Sequence, residues 1–193
     1  QNMIATLILA MVVLIILGMG VPPTAAYVLG GSIIVPALTL LGLQPLPAHL
    51  FTFYFSCLGA ITPPVCAAVF VTSSLAQSNW WNSGWLAVRL GLAGFIVPFM
   101  FVYNDSLLLS GSLFDILYAA LPAFVGVFFL STFAVGYFAG RIGFTRRIIM
   151  AIAGGMLIQP GIVTDLIGAG LAALVYLSQY LTRGKKKDSA GIW

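Results

Sequence analysis

Formal charge is nearly absent from this chain. Asp, Glu, Lys and Arg make up 6% of its 193 residues, and the first of them is Arg89. A water-soluble domain needs polar groups across its surface, so a long uncharged opening excludes a cytosolic or secreted enzyme. Cysteine is also scarce. Cys57 and Cys66 sit in apolar sequence without CxxC spacing, which argues against a disulfide framework or a metal site and for two small buried side chains. The single histidine, His49, lies seven residues before Ser56, a rise of about 10.5 Å on a helix and far beyond the ~3 Å of a proton transfer. No HExxH, GxSxG or P-loop pattern occurs, so hydrolase and nucleotide-driven chemistry lack their residues and the chain is not expected to be an enzyme.

What is abundant is apolar sequence: 61% of residues are hydrophobic and the mean hydropathy is +1.11. The chain is expected to be an all-α integral membrane protein with polytopic helices, its main surroundings the lipid bilayer. It opens at Gln1 without the basic n-region of a signal peptide and is expected to be the C-terminal piece of a longer polypeptide. The net charge of +4 does not imply a nucleic-acid partner, because the basic residues stand at the ends of apolar segments and in the tail.

The first apolar stretch, Met3 to Leu41, is about twice the ~20 residues needed to cross the bilayer, so it has to break. The break is expected at Gly18-Met19-Gly20-Val21-Pro22-Pro23-Thr24, where glycines loosen the backbone and two prolines oppose helical hydrogen bonding. Gly42 to Pro47 is expected to turn. A second apolar run, Ala48 to Gln77, is interrupted by Ile61-Thr62-Pro63-Pro64. Ser78 to Gly84, with Trp80, Trp81 and nearby Trp85, suits a headgroup-level connector. Trp85 to Tyr103 and Leu113 to Ala139 are expected spans, with Pro36, Pro98 and Pro122 as simple kinks. A basic loop, Arg141 to Arg147, then leads into Ile148 to Ile158, a break at Gln159-Pro160-Gly161 and a span to Leu181. The expected division is 1–110, a repeat with hairpin tip 18–24 and helix break 61–64; 111–182, C-terminal transmembrane helices; and 183–193, a solvated tail.

Basic residues favour the cytoplasmic side, which places Arg89, the Arg141–Arg147 loop and the Arg183–Lys187 tail inside and the Asn104 turn outside. The first broken run, if a hairpin, then dips in from the outer face. Asp115 and Asp165 lie where carboxylates favour helix N-termini.

Interrupted helices persist at membrane depth where their freed N–H and C=O groups are buried or face a water-filled cavity. Two breaks, each with a Pro-Pro pair, therefore point to a midplane binding site. Half-helices beginning near Thr24 and Val65 offer positive dipole ends to an anionic group, while carbonyls near Gly18 and Ala60 can hold a cation. The candidate ion and substrate residues are Gly18, Met19, Gly20, Pro22, Pro23, Thr24, Ser56, Ala60, Thr62, Pro63 and Pro64, with Gly18, Thr24, Ala60 and Thr62 as cation ligands. No carboxylate, histidine or basic residue lies within either break, so Na⁺ is a more natural coupling ion than a proton. No organic cofactor is implied.

Three blocks, Gly18 through Tyr27, His49 through Val65, and Arg89-Leu90-Gly91 on to Asn104, resemble the end of the large membrane subunit of tripartite ATP-independent periplasmic (TRAP) transporters. The likeness leans toward the fused permeases that work with TAXI-type binding proteins and covers about residues 1 to 110. It implies the second of two inverted repeats of an elevator-type transporter, with a re-entrant hairpin tipped at Gly18 to Thr24 and a partner helix broken at Ile61 to Pro64. It also implies import of organic acids driven by Na⁺ across the bacterial inner membrane, with the C-terminus cytoplasmic. The implied partners are a periplasmic substrate-binding protein and the rest of the permease, its first repeat and small-subunit helices. A channel module and a non-transporting assembly domain are the competing readings of the same broken helices.

Overall fold

The computed structural model describes residues 2–138, 140, 142–158 and 161–188, the last ten of these by backbone alone. Among them the chain is helical, without a β-strand, and it divides into two compact units, Gln1–Gly111 and Ser112–Trp193. Among the described residues three helical stretches are long and apolar enough to cross a membrane: Pro23–Leu40, Trp80–Tyr103 and Leu113–Val135. The chain is an all-α membrane protein.

In the first unit, α1 (Met3–Gly18) and α2 (Pro23–Leu40) fold back on each other as an antiparallel hairpin. Met3 and Thr6 at the start of α1 line one recess with Leu40 and Leu41 at the end of α2. Pro23 can begin α2 because the first helical position has no N–H to donate within the helix. The same rule changes the expected turn at Gly42 to Pro47: Pro45 and Pro47 belong to the first turn of α3 (Pro45–Leu58), and the chain reverses over Leu41 to Gln44. After α3 come a short 3₁₀ turn (Gly59–Ile61), the break, and α4 (Ala67–Leu75). α4 packs on α5 (Trp80–Leu90) and on the 3₁₀ turn.

The expected connector Ser78 to Gly84 is mostly helix. Asn79 Oδ1 accepts the N–H groups of Trp81 and Asn82 at 3.0 and 3.1 Å, capping α5 from Trp80 onward. Gly91 separates α5 from α6 (Leu92–Tyr103). The unit's core takes every third or fourth residue of three helices: Leu7, Ala10 and Leu14 of α1, Val35 and Leu38 of α2, and Ala48, Phe51 and Phe55 of α3. Phe99 of α6 stacks edge-on to Phe51 and Phe55, with ring centroids at 5.3 and 5.8 Å. The outer faces stay apolar, as lipid-facing helices require.

In the second unit, α7 (Leu113–Val135) opens with a reciprocal capping box between Ser112 and Asp115, which accounts for that carboxylate. The helix ends four residues short of Ala139, because Gly136 at φ 74° takes the left-handed cap; Ala139 itself lies outside the described residues. α8 (Phe144–Ile158) begins four residues before the expected Ile148, so Arg146 and Arg147 are helical rather than loop. Arg147 reaches back and donates from Nε and Nη2 to Phe133 O at 2.9 and 2.8 Å, and from Nη2 to Ala134 O at 3.1 Å. It thereby satisfies carbonyls freed at the end of α7. Arg141, Gln159 and Pro160 lie outside the described residues. α9 (Ile162–Asp188) runs on past 182, so the segment to Asp188 that was expected as tail is helical. Pro36, Pro98 and Pro122 all lie inside helices that continue through them.

Candidate functional site: two apposed helix breaks

Each break is a short non-helical link between a helix that ends and one that begins. In the first, Met19 is extended, Gly20 has φ 78°, and α2 starts at Pro23, one residue before the expected Thr24. In the second, Thr62 is extended, the Pro63-Pro64 peptide is cis, and α4 starts at Ala67, two residues after the expected Val65. Cys66, fully buried and left-handed at φ 34°, precedes α4; its N–H donates to Thr62 O at 3.2 Å. Cys57 is only half-buried, contrary to the expectation of two buried thiols.

The fold brings the two breaks into contact through glycine. A methyl group on Gly18 would lie 2.5 Å from the Ser56 carbonyl oxygen, and one on Gly59 would lie 2.7 Å from both Gly18 Cα and Ile15 O. The backbones of α1 and of the α3 terminus therefore touch directly. Gly20 faces Val65, whose Cγ1 is 3.6 Å from the position of such a methyl. Two helix C-termini thus meet at one place, each presenting the negative end of its dipole and carbonyls left over from its last turn. Two helix N-termini, those of α2 and α4, begin on the far side of the same links.

The expected oxygen donors are found in different states. Ser56 is buried and its Oγ donates to Thr52 O at 2.8 Å, while buried Thr52 donates to Ala48 O at 2.8 Å. Thr62 Oγ1 donates to Leu58 O at 2.7 Å and is half-buried. A hydroxyl that gives its proton to a carbonyl keeps lone pairs free to accept or to ligate. Thr24 stands exposed in the first turn of α2. Met19, Ala60 and Pro63 are half-buried, whereas Pro22, Pro23 and Pro64 are exposed. Gly84 and Gly91 of α5 and its boundary press on the second break: methyls there would lie 3.2 Å from Cys66 Sγ and Pro63 Cγ, and 3.0 Å from Ile61 Cδ1.

Several of these contributors escape a reading of the sequence. Gly59, Cys66 and Gly84 act through the absence of a side chain or through a backbone angle, and nothing in their spacing marks them. His49 is exposed, and its Nδ1 lies 3.0 Å from Tyr27 Oη, joining α2 to α3. Among the described residues no cluster of His, Cys, Asp or Glu could hold a metal, so any cation here would rest on carbonyl and hydroxyl oxygens.

No curated protein and no solved structure matches the chain. A family model, the DctM component of tripartite ATP-independent periplasmic transporters, matches residues 1–116, the whole first unit and the start of α7. With an all-α membrane architecture and a hairpin apposed to an interrupted helix, this chain belongs to that family and is a permease component of a TRAP transporter.

Proposed function

We propose that the junction of the two breaks is the coupling-ion and substrate site of a Na⁺-coupled permease that imports organic acids handed over by a periplasmic binding protein. The observation that carries this is the backbone contact of Gly18 with Ser56 and Gly59. It sets two carbonyl-rich helix ends together, an arrangement that favours a cation without any carboxylate. Gly18 and Ala60 would supply backbone oxygens and Thr24 and Thr62 hydroxyls. Ser56, Met19, Gly20, Pro22, Pro23, Pro63 and Pro64 would shape the links. The first-turn N–H groups of α2 and α4, among them those of Thr24 and Ala67, have no acceptor within their own helices and suit a substrate carboxylate. The distribution of basic residues supports a cytoplasmic C-terminus in a bacterial inner membrane, with the hairpin tip reached from the outer face. The first repeat and the small-subunit helices would complete the permease, and a TAXI-type binding protein is the delivering partner that the sequence resemblance favours.

The test is uptake of labelled carboxylates by the complete permease with its binding protein. Uptake is expected to require Na⁺, to saturate, and to survive collapse of the pH gradient while Na⁺ is maintained. Uptake that follows protons and ignores Na⁺ would overturn the coupling. Flux that neither saturates nor responds to Na⁺ would favour a channel.

A further inference from the structure

Arg89 and Asp105 are the only formal charges in the first unit, and they belong to different elements. Arg89 is exposed on α5 at the end of a stripe Trp81, Trp85, Arg89, whose i, i+4, i+8 spacing puts all three on one face. Trp81 and Trp85 are 42% and 54% exposed, too open for core aromatics. They continue an edge-to-face ladder that starts at exposed Phe70: Phe70 to Trp80 is 6.4 Å between centroids, Trp80 to Trp81 5.5 Å, and Trp81 to Trp85 6.0 Å. Gly84 and Gly91 pack against the second break about 110° round the helix from the centre of the stripe, whose own three residues stay exposed.

Depth gives the stripe its meaning. Trp80–Tyr103 is a 24-residue apolar stretch, about 36 Å of helix against ~30 Å of hydrocarbon. With the tryptophans at headgroup level, the Arg89 backbone sits about 6 Å deeper than that of Trp85. A lone cation does not rest there unpaired. Helical side chains lean toward the helix N-terminus, which carries the guanidinium back to the level of Trp85 and the headgroups. A planar guanidinium at the level of a neighbouring tryptophan matches a phosphate oxyanion.

We propose that the outward face of α5 seats the phosphate of an anionic phospholipid, held by Arg89 and flanked by Trp81 and Trp85. Net negative charge on the lipid complements the one cation of the unit, and the same helix packs on the second break through Gly84 and Gly91.

The chain's four tryptophans are three in this cluster and Trp193, so a Trp193→Phe background makes fluorescence report the stripe. The full chain in that background is placed in phosphatidylcholine vesicles containing a minor fraction of either phosphatidylglycerol or phosphatidylcholine brominated near the headgroup. Quenching by the brominated phosphatidylglycerol should show about five-fold enrichment at the stripe, the scale of one basic residue at an anionic surface. The preference should vanish in Arg89→Gln, persist in Arg89→Lys, and fall in the unsubstituted stripe when salt is raised. Equal quenching by the two lipids, weak quenching by both because protein covers the face, or a preference unchanged in Arg89→Gln would each overturn the proposal. The salt series uses native Arg89 and stands even if a variant fails to fold.

Discussion

Gly18→Ala probes the junction with one carbon atom. The added methyl would sit 2.5 Å from the Ser56 carbonyl oxygen and 3.3 Å from Gly59 Cα, and both of those neighbours are backbone. Neither can rotate away, so recovering an ordinary contact near 3.4 Å requires the two backbones to part by about 0.9 Å. Overpacking of this kind costs about 1–3 kcal/mol in stability. Because α1 and α3 end at the same point, their leftover carbonyls would part with them. The Na⁺ concentration for half-maximal uptake should rise by roughly 5- to 150-fold if that shift weakens ion binding by the same energy. Gly31→Ala is the control: a methyl there meets only Tyr27 Cε2 at 3.9 Å, and the change should be neutral or stabilising by about 0.5–1 kcal/mol. Thermal melting of the purified permease and Na⁺ titration of uptake read the two effects separately. A Gly18→Ala permease with native melting and native Na⁺ dependence would refute the apposition of the breaks.

Arg147→Ala removes three hydrogen bonds to the end of α7 and a cation stacked 5.8 Å over Phe133; melting of the second unit should fall by about 2–3 kcal/mol, with Lys restoring only part, and an unchanged melt would contradict the capping role. Gly154→Ala would place a methyl 2.7 Å from Gly126 O, so α7 and α8 should separate at a cost of about 1–3 kcal/mol by the same melting measurement, whereas Gly155→Ala, which meets nothing within 4 Å, should be silent.

The breaks were legible because proline and glycine act locally: Pro22-Pro23 and Pro63-Pro64 interrupt helices wherever the rest of the chain lies. Their apposition was not legible. Gly18 and Gly59 are 41 positions apart, and a glycine that permits backbone contact leaves no side-chain pattern to read. Helix boundaries shifted where a cap outweighed composition, as when Asn79 drew the tryptophans into α5 and Gly136 stopped α7 before Ala139. The basic segment before Ile148 read as loop because charge suggested solvent, yet Arg147 spends its donors on the carbonyls of the preceding helix. Ser56 and Thr62 were legible as oxygen donors, but the carbonyls that take their protons follow only from the helical i−4 geometry.

The central claim is that hydroxyls at the two breaks ligate one coupling ion, and Na⁺ titration of uptake in Thr24→Val and Thr62→Val permeases tests it most directly. Valine keeps the shape and removes an oxygen. Half-maximal Na⁺ should rise about 5- to 150-fold in each, the equivalent of roughly 1–3 kcal/mol for a bound ion's lost oxygen ligand, with binding-protein docking unchanged and serine substitutions far milder. Native half-saturation in both valine variants, with only the amount of folded protein reduced, would contradict it.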